Sequence, residues 1–90
     1  MKVVFTFRAR FDLVHIQTYI SKDSRRAALR MSVKLIAACE GLERFPERGR
    51  IGSEPGTREL TTVRPYIIVY RFRGSVIEIV NIWHGRQNRG

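Results

Sequence analysis

Cysteine is all but missing from this sequence. Cys39 stands alone, which rules out an internal disulfide, and no second Cys or nearby His gives it metal-ligand spacing; an ordinary buried thiol is expected. Histidine is nearly as scarce, with only His15 and His84. Neither lies in a zinc-binding pattern, and the chain has no nucleophile elbow and no Gly-rich phosphate loop followed by Lys. Familiar hydrolase and nucleotide-binding chemistry is thereby disfavoured, and no metal or cofactor is expected. Long apolar runs are absent too. The opening stretch, Met1 to Phe7, is too short for a signal peptide and has no small-residue cleavage site, and nothing approaches the roughly 20 residues of a membrane span. A cytoplasmic protein without membrane contact is the expectation. Negative charge is the last shortage: 8 Asp plus Glu face 17 Lys plus Arg, for a net charge of +9.

Arginine is what the sequence has in quantity, 14 against 3 Lys. Its planar fork binds carboxylates and phosphates through paired hydrogen bonds, a property that solubility alone would not demand. The expected partners are therefore anionic, either nucleic acid or an acidic protein segment. A hydrophobic share of 43% is enough for a packed core. At 90 residues the chain has room for one domain, spanning 1–90.

Hydrophobic spacing sets the order of elements. Val3, Phe5 and Phe7 alternate with Val4, Thr6 and Arg8, the period of a short strand. From Ala9 to about Lys22 the interval becomes helical, with Leu13, Ile16 and Ile20 on one stripe and Tyr19 beside it. Asp23 or Ser24 then offers a cap for a second helix, roughly Arg25 to Gly41, whose apolar face runs through Ala28, Met31, Leu35, Ala38 and Leu42. Pro46 ends it, and a turn-rich loop reaches Gly56. Thr57 to Thr62 reads as a strand, followed by two β-branched and aromatic runs, Tyr66 to Phe72 and Val76 to Trp83, joined tightly at Arg73-Gly74-Ser75. The fold class is α+β: an N-terminal strand and a two-helix hairpin packed on a mostly antiparallel four-stranded sheet, in the order β-α-α-β-β-β.

Candidate binding residues come from the same reading. Arg58, Arg64 and Arg71 lie on or beside the second and third strands, and Trp83, His84, Arg86 and Arg89 follow from the end of the fourth. Alternation sets Arg71 with Ile67 and Val69, opposite Tyr66, Ile68 and Tyr70. An antiparallel sheet can leave one face to solvent, so these arginines are expected to form a basic, anion-binding concavity. Glu59 and Glu78 are read as cross-strand ion-pair partners rather than bases, and His15 as a surface or partly packed histidine. No aromatic-rich nucleic-acid motif appears in the strands.

The segments Arg58-Glu59-Leu60, Pro65-Tyr66-Ile67-Ile68-Val69-Tyr70-Arg71, Val76-Ile77-Glu78-Ile79 and Trp83-His84-Gly85-Arg86, in that order, resemble the C-terminal half of RelE/ParE toxins of bacterial toxin–antitoxin modules. Asp12-Leu13, Ile16, Tyr19-Ile20, Ala28, Leu35, Leu42 and Phe45-Pro46 fit the family's helical hairpin. The resemblance implies a growth-inhibiting toxin held in check by an acidic antitoxin. That partner would carry a DNA-binding portion, so operator DNA is met only through it. RelE-type members cut messenger RNA on the ribosome, whereas ParE-type members poison DNA gyrase without being nucleases. In the ribonucleases an arginine stands where this chain has Ile67, another where it has Gln87, and a tyrosine lies beyond the point where this chain stops. The departures favour the ParE-type reading, with gyrase as target and the tail residues Trp83, His84, Arg86 and Arg89 as the target-binding segment. Arg58, Arg64 and Arg71 are then left for the antitoxin or another anion. The alternative is a ribosome-dependent endoribonuclease, in which His84 would move protons while Arg71 and Arg86 hold the phosphate. A non-toxic nucleic-acid-binding module is the third reading.

Overall fold

The structure is a computed structural model and describes residues 1–86. It runs β1 (Lys2–Phe5), α1 (Phe7–Ser21), α2 (Arg25–Glu40), a 3-10 turn (Gly41–Glu43), β2 (Arg50–Ile51), β3 (Thr57–Leu60), β4 (Tyr66–Arg73) and β5 (Val76–His84). The sheet has five strands in the order β1-β5-β4-β3-β2. β1 pairs with β5 in parallel, and the other pairs are antiparallel. The expected four-stranded sheet is thus corrected to a mixed, five-stranded one. Its extra member, β2, is two residues long and sits in a stretch whose Gly and Pro content reads as loop.

Thr6 explains why β1 is shorter than alternation suggests. Its hydroxyl accepts the Ala9 N–H at 3.0 Å and so caps α1. The same hydroxyl lies 2.8 Å from the Ile79 carbonyl and 2.9 Å from that of Val80, one of which receives its proton. The helix therefore begins at Phe7 rather than near Ala9, and Phe7, read as part of the strand, is a helix residue that is 80% exposed. Ser24 is the cap of α2, accepting the Ala27 N–H at 3.1 Å.

β4 and β5 carry the centre of the sheet. Their two-residue connection places Gly74 at φ 60° with no positive φ at Ser75, the pattern of a II′ hairpin. Farther along, Tyr70 faces Ile79 while Val69 faces Asn81, so Val80 is an extra residue on β5. This bulge shifts the side-chain alternation by one. Ile77, Ile79 and Ile82 all reach the helix-side core, where strict period 2 would have delivered Asn81 instead. Tyr66, Ile68 and Tyr70 join them from β4, and Ala9, Ile16, Leu35, Cys39 and Leu42 from the helical layer.

Tyr70 also anchors the loop after the helices. Its hydroxyl accepts the Gly49 N–H at 2.9 Å and donates to the Pro46 carbonyl at 2.7 Å. Gly49 passes so close that a Cβ there would meet the Tyr70 ring and hydroxyl at 2.8 Å. Among the described residues no helix is long and apolar enough to cross a membrane.

Leu35 is fully buried, so Leu35→Ala should lower unfolding free energy by about 2–5 kcal/mol in denaturant titrations. Burial also pushes the Cys39 thiol up to about 12, with nearby Glu40 adding to the shift. A raised thiol value means stability is intact below the unfolded-chain value near 9 and is lost as pH climbs from there toward 12. Cys39→Ala should flatten that alkaline loss, and at neutral pH a thiol reagent should label Cys39 only at the rate at which the chain opens.

Candidate functional site

Strand parity and register place the predicted arginines on different surfaces. Arg58 stands opposite Tyr70 and so lies on the helix side, where its Nη1 donates to the carbonyls of Gly49 at 2.8 Å and Glu47 at 3.3 Å. Arg71 lies on the other face, where its Nε meets Glu78 Oε1 at 2.7 Å, and Arg73 joins the same carboxylate at 3.3 Å. Arg64 is exposed in the β3–β4 connection, beside Lys34 of α2. The expected basic concavity built from Arg58, Arg64 and Arg71 does not form. Two of the three are occupied by internal acceptors, and they point to opposite sides.

The carboxylates behave as read. Glu59 is buried and takes Arg50 at 2.9 Å. Glu78 titrates below the ordinary carboxylate range, chiefly through its hydrogen bond from Arg71. The open sheet face is in this way neutralised along β2 and the β4–β5 hairpin, and its other end carries the facing pair Ile67 and Trp83.

A cleft of about 430 Å³ lies on the helix side, between α1 and the far ends of β4 and β5. Arg8, Phe11, His15 and Tyr19 form its helical wall and Tyr66 and His84 its sheet wall, over a floor that includes Ile16 and Ile82, with Trp83, whose strand parity is that of the open face, also bordering it. Both histidines of the chain line it. His15 stacks on Phe11 with ring centroids 6.0 Å apart and planes at 17°, and Tyr66 meets His84 edge to face at 5.4 Å. Burial pushes the Tyr66 hydroxyl upward from its usual value, so it stays a neutral phenol at physiological pH. His84 Nδ1 accepts the Arg86 backbone N–H at 3.0 Å. Trp83, His84 and Arg86 of the predicted tail therefore gather at one end of the molecule, and Arg89 lies outside the described residues.

Asp12 holds this cleft in shape. Its side chain is nearly buried, with one oxygen accepting the Ile82 N–H at 2.9 Å and the other the Arg8 Nε at 3.1 Å. β1 stops at Phe5, opposite Ile79, so beyond that point β5 keeps β4 on one side and has no strand on the other. Asp12 supplies the acceptor that a strand would have offered. Composition gives no hint of this, because the bond spans 70 residues of sequence.

Comparison with known proteins follows from this fold and cleft. The sequence pattern of the ParE toxin of type II toxin–antitoxin systems matches residues 3–89. "Toxin RelE2" of Caulobacter vibrioides is 42% identical over 83 residues, covering 92% of this chain and 93% of that one. "Toxin RelE1" of the same organism is 35% identical over 91 residues, at 97% and 96%. A solved chain titled "Chromosomal ParDE TA system from P. aeruginosa" superimposes with a TM-score of 0.83 at 27% identity, over 93% of this chain and 95% of that chain.

Asp12→Leu should destabilise the fold by about 1–3 kcal/mol, the cost of a buried N–H without an acceptor. Asp12→Asn keeps an oxygen for Ile82 and forfeits the exposed Arg8 pair, worth roughly 0.5 kcal/mol. It should fall much closer to the parent in a urea titration, and equal losses would show that the backbone bond is not what matters.

Proposed function

The chain belongs to the RelE/ParE family of type II toxin–antitoxin toxins, and on that premise we propose that it arrests growth by poisoning DNA gyrase, without cutting nucleic acid. The observation that supports this reading is the separation of the groups a nuclease would need. RNA cleavage by the 2′-hydroxyl requires proton transfer and cationic groups on one phosphate. His84 faces the helix side opposite Tyr66, whereas Arg71 faces the other side, five residues farther along β4 and already paired with Glu78. That separation is roughly 16 Å of strand. Of Arg71 and Arg86, the second is the one beside His84, through its backbone N–H, and Arg8 lines the same cleft with its Nε already on Asp12. Ile67, where resembling ribonucleases carry arginine, sits beside Trp83 on an apolar part of the open face. A poison that works by binding needs none of these constellations, and the end of β5 with Trp83, His84 and Arg86 is its contact surface.

A toxin–antitoxin toxin has an antitoxin, and the hairpin's solvent side suits one. Phe7, Phe11 and Val14 recur at i, i+4 and i+7 on α1, as do Leu29, Val33 and Ile36 on α2, and all are exposed. Arg8 and Arg10 on one helix and Arg25, Arg26, Arg30 and Lys34 on the other surround them, while the helices' own carboxylates are the nearly buried Asp12 and the terminal Glu40. Such a surface fits an amphipathic acidic helix, apolar anchors inward and carboxylates to the rim. That helix would belong to an antitoxin whose remaining portion binds operator DNA.

Two measurements test these readings. Purified chain should block supercoiling by DNA gyrase, and induction in cells should raise the DNA-damage response with transcripts intact. Rapid cutting of translated messages, lost in His84→Ala or Arg71→Ala, would instead establish the ribonuclease. For the antitoxin surface, Val33→Glu should weaken the toxin–antitoxin complex by about tenfold or more while gyrase inhibition persists; unchanged affinity would move the antitoxin elsewhere.

A further inference from the structure

We infer that the cleft between α1 and the ends of β4 and β5 binds an unpaired nucleotide, with its base against the ring wall of α1 and its phosphate at Arg8. Phe11, His15 and Tyr19 are spaced at i, i+4 and i+8, one ring per helical turn along the cleft. The Phe11 and His15 rings are stacked near-parallel, so a base laid on an outer face would continue the stack. Tyr66 and His84 close the opposite wall with a second ring pair. A volume of about 430 Å³ lies within the range of small-ligand sites.

The electrostatics select an anionic guest. Arg8 uses its Nε on Asp12, and its side chain is 68% exposed, leaving the terminal nitrogens of the fork to solvent among the described residues. Among the described residues the single carboxylate lining the cleft, Asp12, has both oxygens engaged, by Ile82 and Arg8. Aromatic rings on two sides with an arginine at one end match base stacking plus phosphate contact, a sequence-tolerant mode because every base has a π face. The platform lies on a helix, so inspection of the strands for aromatic binding motifs passes it over. A peptide aromatic side chain would find the rings but would bring no anion for Arg8 to pair with.

The test exploits the placement of both histidines in the cleft. Imidazole resonances of the whole isotope-labelled chain would be followed while AMP, inorganic phosphate, or N-acetyl-tyrosinamide is added at neutral pH. AMP should shift both imidazoles saturably, and phosphate alone should need about tenfold higher concentration. Tyr19→Ala, at an exposed position that leaves the core intact, should weaken AMP by about fivefold or more, the low end of base-on-ring stacking. Arg8→Gln should weaken AMP and leave adenosine unchanged. Absence of a saturable shift, equal response to phosphate alone, or tighter binding of the tyrosine amide would each overturn the inference. It concerns binding alone: a chain that inhibits gyrase yet ignores AMP would sink this inference and leave the target reading standing.

Discussion

The bond from the Ile82 N–H to the Asp12 carboxylate fixes the relation between helix and sheet on which the cleft depends. A four-residue β1 covers only the first half of β5, and a bare strand edge inside a protein would leave backbone donors without acceptors. α1 solves this in two steps. Thr6 takes over the carbonyl side at Ile79 and Val80, and Asp12, less than two turns later, takes the N–H of Ile82. The helix is thereby tied to the strand edge at two points, and the cleft opens beside its Phe11, His15 and Tyr19 face while Ile16 stays packed on the core. The Val80 bulge belongs to the same solution, since it returns Ile82 to the core side.

Charge in this protein is abundant but unevenly available. The arginines of the sheet are largely consumed internally, by Glu59, by Glu78 and by the Gly49 and Glu47 carbonyls. Those of the helical hairpin, Arg10, Arg25, Arg26 and Arg30, are exposed around an apolar stripe. A net charge of +9 is therefore felt by a partner mainly on the helical side. Surface pairs such as Arg71 with Glu78 add little to stability, yet they do redistribute where an anion is welcome.

Much of the fold could be read from spacing. The helical intervals of Leu13, Ile16 and Ile20 and of Ala28, Leu35 and Leu42 mark core-facing stripes, and Gly74 marks the hairpin. What escaped was long-range. Thr6 looks like one more strand residue until its hydroxyl is seen on a strand 73 residues away, and Arg50-Ile51 has strand geometry only because β3 lies beside it. The cleft escaped for a related reason: Phe11 and Tyr19 lie off the buried stripe, and nothing local says that Tyr66 and His84 will face them. The basic groove was overestimated because sequence counts arginines without showing which acceptors fold back onto them. Family resemblance was legible in the ordered motifs of β3 to β5, where period-2 packing keeps residue identity tightly coupled to position.

Phe11 has membership in two surfaces. Its ring belongs to the exposed stripe of α1 and also lines the cleft. A single side chain cannot serve two guests in two rotamers at once, so the surfaces form one thermodynamic unit. Whatever factor a helix on the stripe imposes on a cleft ligand, that ligand must impose on the helix in return, with no domain movement needed to carry the message.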